Sequence, residues 1–119
     1  MKCCLINTRS IRNKIVDVTE FLNDNNFDIC CVTESWLKDD ENTCITELND
    51  LGFDIISKPR GGRGGGGLAF LYSKNFEVKN IRLNKYSSFE AQQIVLNGSD
   101  ENIRFSTFYR TGLYYVYML

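Results

Sequence analysis

The segment from Lys2 to Thr33 leaves little choice of topology. Lys2 to Ile6 is a short, mostly apolar run that stops at Asn7-Thr8, the pattern of a buried strand ending in a turn. Ser10 is placed as an N-cap. After it, Ile11, Ile15, Val18, Phe21 and Leu22 recur at helical spacing on one face, and Asn25-Asn26 suits the exit. Phe27 to Thr33 is a second compact run, apolar on both faces as in a central strand of a covered sheet, and Glu34 ends it. Strand, helix, strand over such a span predicts a parallel crossover unit, because parallel neighbours need a long connection and a helix supplies it. Both strands then run the same way. Asn7 and Glu34, each just past the end of its apolar run, are therefore expected on the same rim of the sheet.

Beyond Trp36-Leu37, the acidic stretch Asp39 to Glu41 is expected to open a short helix that reaches Leu51, with Gly52 closing it. Phe53 to Ser57 reads as a strand, Pro59 to Gly67 as a flexible loop and Leu68 to Tyr72 as another strand. Phe76 to Leu83, Ser88 to Leu96 and Ile103 to Tyr109 follow at meander spacing, with Gly98-Ser99-Asp100 as a hairpin turn. With no repeat and no linker in 119 residues, the sequence predicts a single α/β domain: one βαβ crossover followed by mostly antiparallel strands.

Composition adds exclusions. With 43% hydrophobic and 24% charged residues and one proline, the chain is neither disordered nor fibrous. No apolar run approaches the ~20 residues of a membrane-spanning helix. Met1 to Asn7 makes a poor signal peptide, so an intracellular protein, nuclear or cytoplasmic, is expected. Five cysteines form two adjacent pairs, Cys3-Cys4 and Cys30-Cys31, and a single Cys44. Adjacent residues of a strand point to opposite faces, so neither pair can offer two thiolates to one ion. They are read as small buried side chains in a reducing compartment, with metal or disulfide chemistry as the lesser alternative. A formal net charge of −1 gives no global basic field. Two local clusters, Arg9-Arg12-Lys14 and Lys58-Arg60-Arg63, suit a nucleic acid or simply a solvated surface.

The run Gly61-Gly62-Arg63-Gly64-Gly65-Gly66-Gly67 is no phosphate-binding P-loop, since a strand rather than Lys-Ser/Thr and a helix follows it. It is also too short for an RNA-binding glycine-arginine tract. It reads instead as a mobile hairpin-type connection that lets Arg60 and Arg63 approach a ligand. Glu34, a carboxylate directly after a buried strand, stands where an α/β enzyme holds a divalent cation such as magnesium; a solvated rim residue or a cap fits its position equally well. Asn7 has the same plain alternative, because asparagine is common in turns.

Five blocks in order carry a resemblance: Asn7-Thr8-Arg9-Ser10-Ile11-Arg12-Asn13-Lys14; Asp28-Ile29 leading into Thr33-Glu34-Ser35-Trp36-Leu37; the Gly-Gly-Arg-Gly-Gly-Gly loop; Ser87-Ser88-Phe89-Glu90; and Phe108-Tyr109-Arg110. Across residues 2 to 110 they resemble the endonuclease domain of non-LTR (LINE-type) retrotransposons, which is similar to apurinic/apyrimidinic endonucleases and DNase I. The resemblance implies half of a DNase I-like α/β sandwich and magnesium-dependent hydrolysis of DNA. It implies that Glu34 binds the catalytic Mg2+, that Asn7 lies near the metal and the scissile phosphate, and that Tyr109 donates a hydrogen bond to the phosphate. Glu90 is either a hydrogen-bonding partner in the site or a structural acid. Arg9, Arg60 and Arg63 are candidate DNA contacts.

The departures from that pattern are as informative. The family's second half supplies an aspartate and asparagine that position the nucleophile, further aspartates and a histidine, and this chain contains no histidine. Residues 111–119 read as a divergent tail on a truncated domain spanning 1–110. The chain is therefore expected to be inactive alone and, with one sheet left uncovered, to self-associate. A non-catalytic nucleic-acid- or protein-binding remnant, and a phosphoesterase acting on a small molecule or lipid, are the other readings.

Overall fold

A computed structural model describes residues 1–38, 42–61, 65–98 and 100–110, together with the backbone of 113–118. Two compact units, 1–74 and 75–119, divide the chain.

The first unit realises the predicted crossover. Strand β1 (Cys3–Asn7) leads through helix α1 (Ile15–Asp24) to β2 (Ile29–Thr33), and the two strands pair in parallel from Cys3 opposite Ile29 to Asn7 opposite Thr33. Helix α2 (Asn42–Asp50) precedes β3 (Phe53–Lys58) and β4 (Leu68–Ser73); Asp39 to Glu41, expected to open α2, lie outside the described residues. β4 enters the sheet antiparallel between β2 and β3, giving the order β1-β2-β4-β3. All five residues of β2 are buried, as its uninterrupted apolar run requires. One face of this sheet, with Cys30, Val32, Ala69 and Leu71, packs against Ile11, Ile15, Val18 and Leu22 and against Cys44 and Leu48 of α2. Each fully buried aliphatic side chain there contributes roughly 1.5–3 kcal/mol relative to exposure.

Two details of the crossover differ from the sequence reading. α1 begins at Ile15, not after Ser10, and no side chain caps it. An N-cap needs extended backbone, whereas Ser10 has φ +80° and its N–H is taken by the Glu34 carbonyl at 2.8 Å. Phe21, expected in the core, is exposed and stacks instead on Phe27, with ring centroids 5.5 Å apart. Thr19 takes a core place instead, its hydroxyl donating to the Ile15 carbonyl at 2.8 Å. The helix exit was legible: Asn26 is left-handed at φ +56°, and Phe27 N–H bonds back to the Leu22 carbonyl at 2.9 Å.

The second unit is a meander: β5 (Glu77–Ile81), β6 (Glu90–Asn97), β7 (Asn102–Arg110) and β8 (Leu113–Met118), all antiparallel in sequence order. The predicted turn at 98–100 closes β6 on β7, and Gly98 N–H bonds the Glu101 carbonyl at 2.9 Å; Ser99 lies outside the described residues. The chain thus carries two four-stranded sheets where a single sheet with its helix was the premise. The α/β class, with one parallel crossover and otherwise antiparallel pairing, is as predicted.

Leu22→Ala should lower the free energy of unfolding by about 2–5 kcal/mol in urea denaturation, because Leu22 is enclosed among α1, the sheet and α2. Val16→Ala, on the exposed side of the same helix, should change it by less than about 1 kcal/mol.

Candidate functional site

Registry brings Asn7 and Glu34 together. Asn7 is the last residue of β1 and stands beside Thr33, the last of β2; Glu34 is the next residue along. The Asn7 Nδ2 donates a short hydrogen bond to Glu34 Oε2. That bond leaves the Asn7 amide oxygen and the second carboxylate oxygen as acceptors at the rim. Beneath them, the fully buried Thr33 hydroxyl has no hydrogen-bond partner among the described residues.

The backbone here is unusual. Glu34 and Trp36 have φ of +54° and +57°, and Arg9 and Ser10, across the rim, have +45° and +80°. Left-handed conformations cost non-glycine residues of order 1–3 kcal/mol each, so the surroundings must hold them in place. On one side Thr8 N–H bonds the Thr33 carbonyl (3.1 Å), Ser10 N–H the Glu34 carbonyl (2.8 Å) and Ile11 N–H the Ser35 carbonyl (3.0 Å). The Thr8 hydroxyl adds a bond to the Glu34 carbonyl at 3.0 Å. Lys14 Nζ ties the facing loop by donating to the carbonyls of Thr8 and Arg9.

On the other side stands the end of the glycine run. Ser35 N–H bonds the Gly67 carbonyl (3.1 Å) and Trp36 N–H the Gly66 carbonyl (2.8 Å). Gly65, Gly66 and Gly67 all have positive φ. A Cβ on Gly67 would meet Ser35 Oγ at 2.8 Å, and one on Gly66 would fall 1.9 Å from Arg60 Nε. Gly67 thus lets the loop close against the buried Ser35, a tighter requirement than the flexibility read from sequence, while the Arg60 side chain can swing away from Gly66. Arg60 lies over this loop, Arg9 is exposed beside the rim, and Arg63 lies outside the described residues.

Glu90 and Tyr109 belong to the second unit and are partners across β6 and β7, so they share a face. Tyr109 is buried and Glu90 half-buried. Stacked Tyr86 and Phe89 (5.0 Å), with Phe89 against Phe108 (6.0 Å), fix the entry into β6. Gln92 and Thr107, also partners and also buried, extend the same face. Sequence reasoning passed over both, and over Thr33.

The donor set suits a hard cation. A carboxylate and an amide oxygen are what magnesium takes, since it binds through one or two carboxylates and keeps waters for the remaining positions. Among the described residues no cluster of three or more His, Cys, Asp or Glu side chains is close enough to hold a metal. A concavity of about 440 Å³ lined by Lys79, Ile81, Val95, Asn97, Asn102 and Arg104 lies within the second unit and includes none of the candidate residues. No helix among the described residues is long and apolar enough to cross a membrane.

Residues 4–117 match the Endonuclease/Exonuclease/phosphatase family, and the chain belongs to it. No curated protein matches significantly. Among solved structures, it is similar to an AP endonuclease from Archaeoglobus fulgidus (19% identity, TM-score 0.59, covering 81% of this chain and 36% of that one). It is also similar to a Neisseria 3′ phosphatase bound to a product DNA hairpin (19% identity, TM-score 0.58, 86% of this chain and 39% of that one). The human Nocturnin catalytic domain with bound sulfate matches at 19% identity and TM-score 0.50, over 79% of this chain and 40% of that one. The chain therefore spans 36–40% of the length of these proteins, and at such identity the likeness establishes the fold.

Two glycines at nearly the same φ separate strain from contact. Gly52 (φ +90°) has nothing near its missing Cβ, and Gly67 (φ +89°) has Ser35 Oγ. Gly52→Ala should cost about 1–2 kcal/mol from backbone conformation alone. Gly67→Ala should cost measurably more in the same urea titration, because the Ser35 turn must also give way.

Proposed function

We propose that this chain is part of a magnesium-dependent DNA endonuclease of the non-LTR retrotransposon type, and that it does not cleave DNA alone. The hydrogen bond between Asn7 and Glu34 at the ends of two parallel strands carries the reading. It gathers oxygen ligands at one rim, in a family whose members generally depend on a divalent metal. The DNA-acting relatives of similar fold, and the five ordered motif blocks, support DNA as the substrate. A length of about two fifths of those relatives supports inactivity in isolation.

In this reading Glu34 and the Asn7 amide oxygen hold the cation, which when bound polarises the phosphate and stabilises the leaving oxygen. The Asn7 N–H fixes the rotamer of the Glu34 carboxylate, so one oxygen stays aimed at the rim. The pinned, left-handed backbone of Glu34 does the same for its Cα. For Tyr109, in the second unit, the motif resemblance supports a phenol that donates its hydrogen to a phosphate oxygen. Glu90, its strand partner, is either a hydrogen-bonding partner or a structural acid, and Arg9, Arg60 and Arg63 are the candidate contacts to the DNA backbone.

Two measurements test this proposal. Titration with Mn2+ should broaden the amide resonances of residues 7–8 and 33–35 first, and Glu34→Ala should abolish that selectivity; uniform broadening would remove the cation site. In a plasmid-nicking assay with magnesium, neither the chain nor Glu34→Ala should nick. Nicking by the wild-type chain that disappears in the variant would overturn inactivity while supporting the endonuclease chemistry.

A further inference from the structure

The cysteines were read from sequence within each adjacent pair, where strand geometry separates them. Registry pairs them differently. Cys4 on β1 stands opposite Cys30 on β2, and both side chains belong to the face that packs against α1. Neighbouring strands lie about 4.8 Å apart, inside the roughly 4.4–6.8 Å Cα window that a disulfide spans. The other cysteines are placed differently: Cys3 opposes Ile29, Cys31 opposes Leu5 on the far face, and Cys44 is on α2.

Exposure divides the pair into two roles. Cys30 is fully enclosed, whereas Cys4 is half-buried on the first strand of the sheet, within reach of a small oxidant. The Cys30 thiol donates to the Cys31 carbonyl at 3.8 Å, and across the ladder it faces the Cys4 thiol. The facing Cys30 thiol, as a hydrogen-bond donor, holds the Cys4 thiol below its ordinary range, against the opposing effect of burial. The same pairing, then burial, pushes Cys30 up. An attacking thiol and a buried resolving thiol are thus set side by side.

We infer that Cys4 and Cys30 form a reversible dithiol–disulfide site that closes across β1 and β2 when a peroxide reaches Cys4. Cys4 sulfur attacks one peroxide oxygen, the O–O bond breaks, and water leaves as the Cys4 sulfenic acid forms. Cys30 sulfur then attacks the sulfenic sulfur, the S–O bond breaks, and the thiol hydrogen departs with the hydroxyl as a second water. The two sulfurs are oxidised by two electrons in total, and one hydrogen peroxide is reduced to two waters. A dithiol reductant reverses the change by thiol–disulfide exchange. The linkage lies in the same strand pair that carries Asn7 and Glu34, but it is independent of their chemistry.

The test is exposure of the reduced full chain to stoichiometric hydrogen peroxide, followed by intact-mass analysis and tryptic mapping. The expected result is a mass loss of about 2 Da, reversed by dithiothreitol, with peptide 3–9 joined to peptide 15–38 and fragment ions placing the bond at Cys4 and Cys30. The bond should persist in Cys3→Ser and vanish in Cys4→Ser. A bond through Cys3, Cys31 or Cys44, oxygen addition without crosslinking, or no reaction would each overturn the inference. Wild-type mapping decides even where a cysteine variant folds poorly.

Discussion

Parallel pairing of β1 and β2 in one register is the constraint on which the rest of the first unit depends. A one-residue slip would send Asn7 to the opposite face from Thr33 and turn Cys4 and Ile6 away from the helices. Two things oppose a slip. The faces differ, because Cys30 and Val32 pack under α1 and α2. The ladder also continues past the sheet, through Thr8 to Thr33, Ser10 to Glu34 and Ile11 to Ser35. Packing of α1 and placement of the Glu34 carboxylate are therefore consequences of the same alignment.

That alignment also explains how four left-handed residues persist within a few positions of one another. Their combined cost, of order 4–12 kcal/mol at 1–3 each, rivals the net stability of a small domain, typically about 5–15 kcal/mol. No single contact offsets it. The load is spread over backbone bonds from both sides, the Thr8 hydroxyl, the Lys14 ammonium and the close approach of Gly66 and Gly67. The glycine run and the carboxylate, far apart in sequence, thereby become parts of one structure.

Much of this was legible in the sequence, and what was not has a common cause. Apolar runs announced β1, β2, β3 and β4, and the parallel crossover followed from their spacing around one amphipathic helix. The meeting of Asn7 and Glu34 at one rim needed only strand direction. Ser10 misled because its side chain suits a cap while its backbone is claimed by a residue 24 positions later. Phe21 misled because helical spacing marks a face and not its edge, and a stack with Phe27 satisfies the ring outside the core. The Gly67–Ser35 contact, the face shared by Gln92, Thr107 and Tyr109, and the Cys4–Cys30 pairing all depend on which residues end up opposite each other. Registry is a long-range property, and local pattern does not encode it.

The left-handed backbone at Glu34 carries a consequence for substitution at that position. At that φ glycine and asparagine are the comfortable residues, so a carboxylate is retained against the preference of the fold itself. Replacing Glu34 with either residue would therefore relieve the backbone and make the protein more stable and not less. Local backbone preference and the retention of a carboxylate thus pull in opposite directions at one position, so loss of that carboxylate would leave the sheet around it intact.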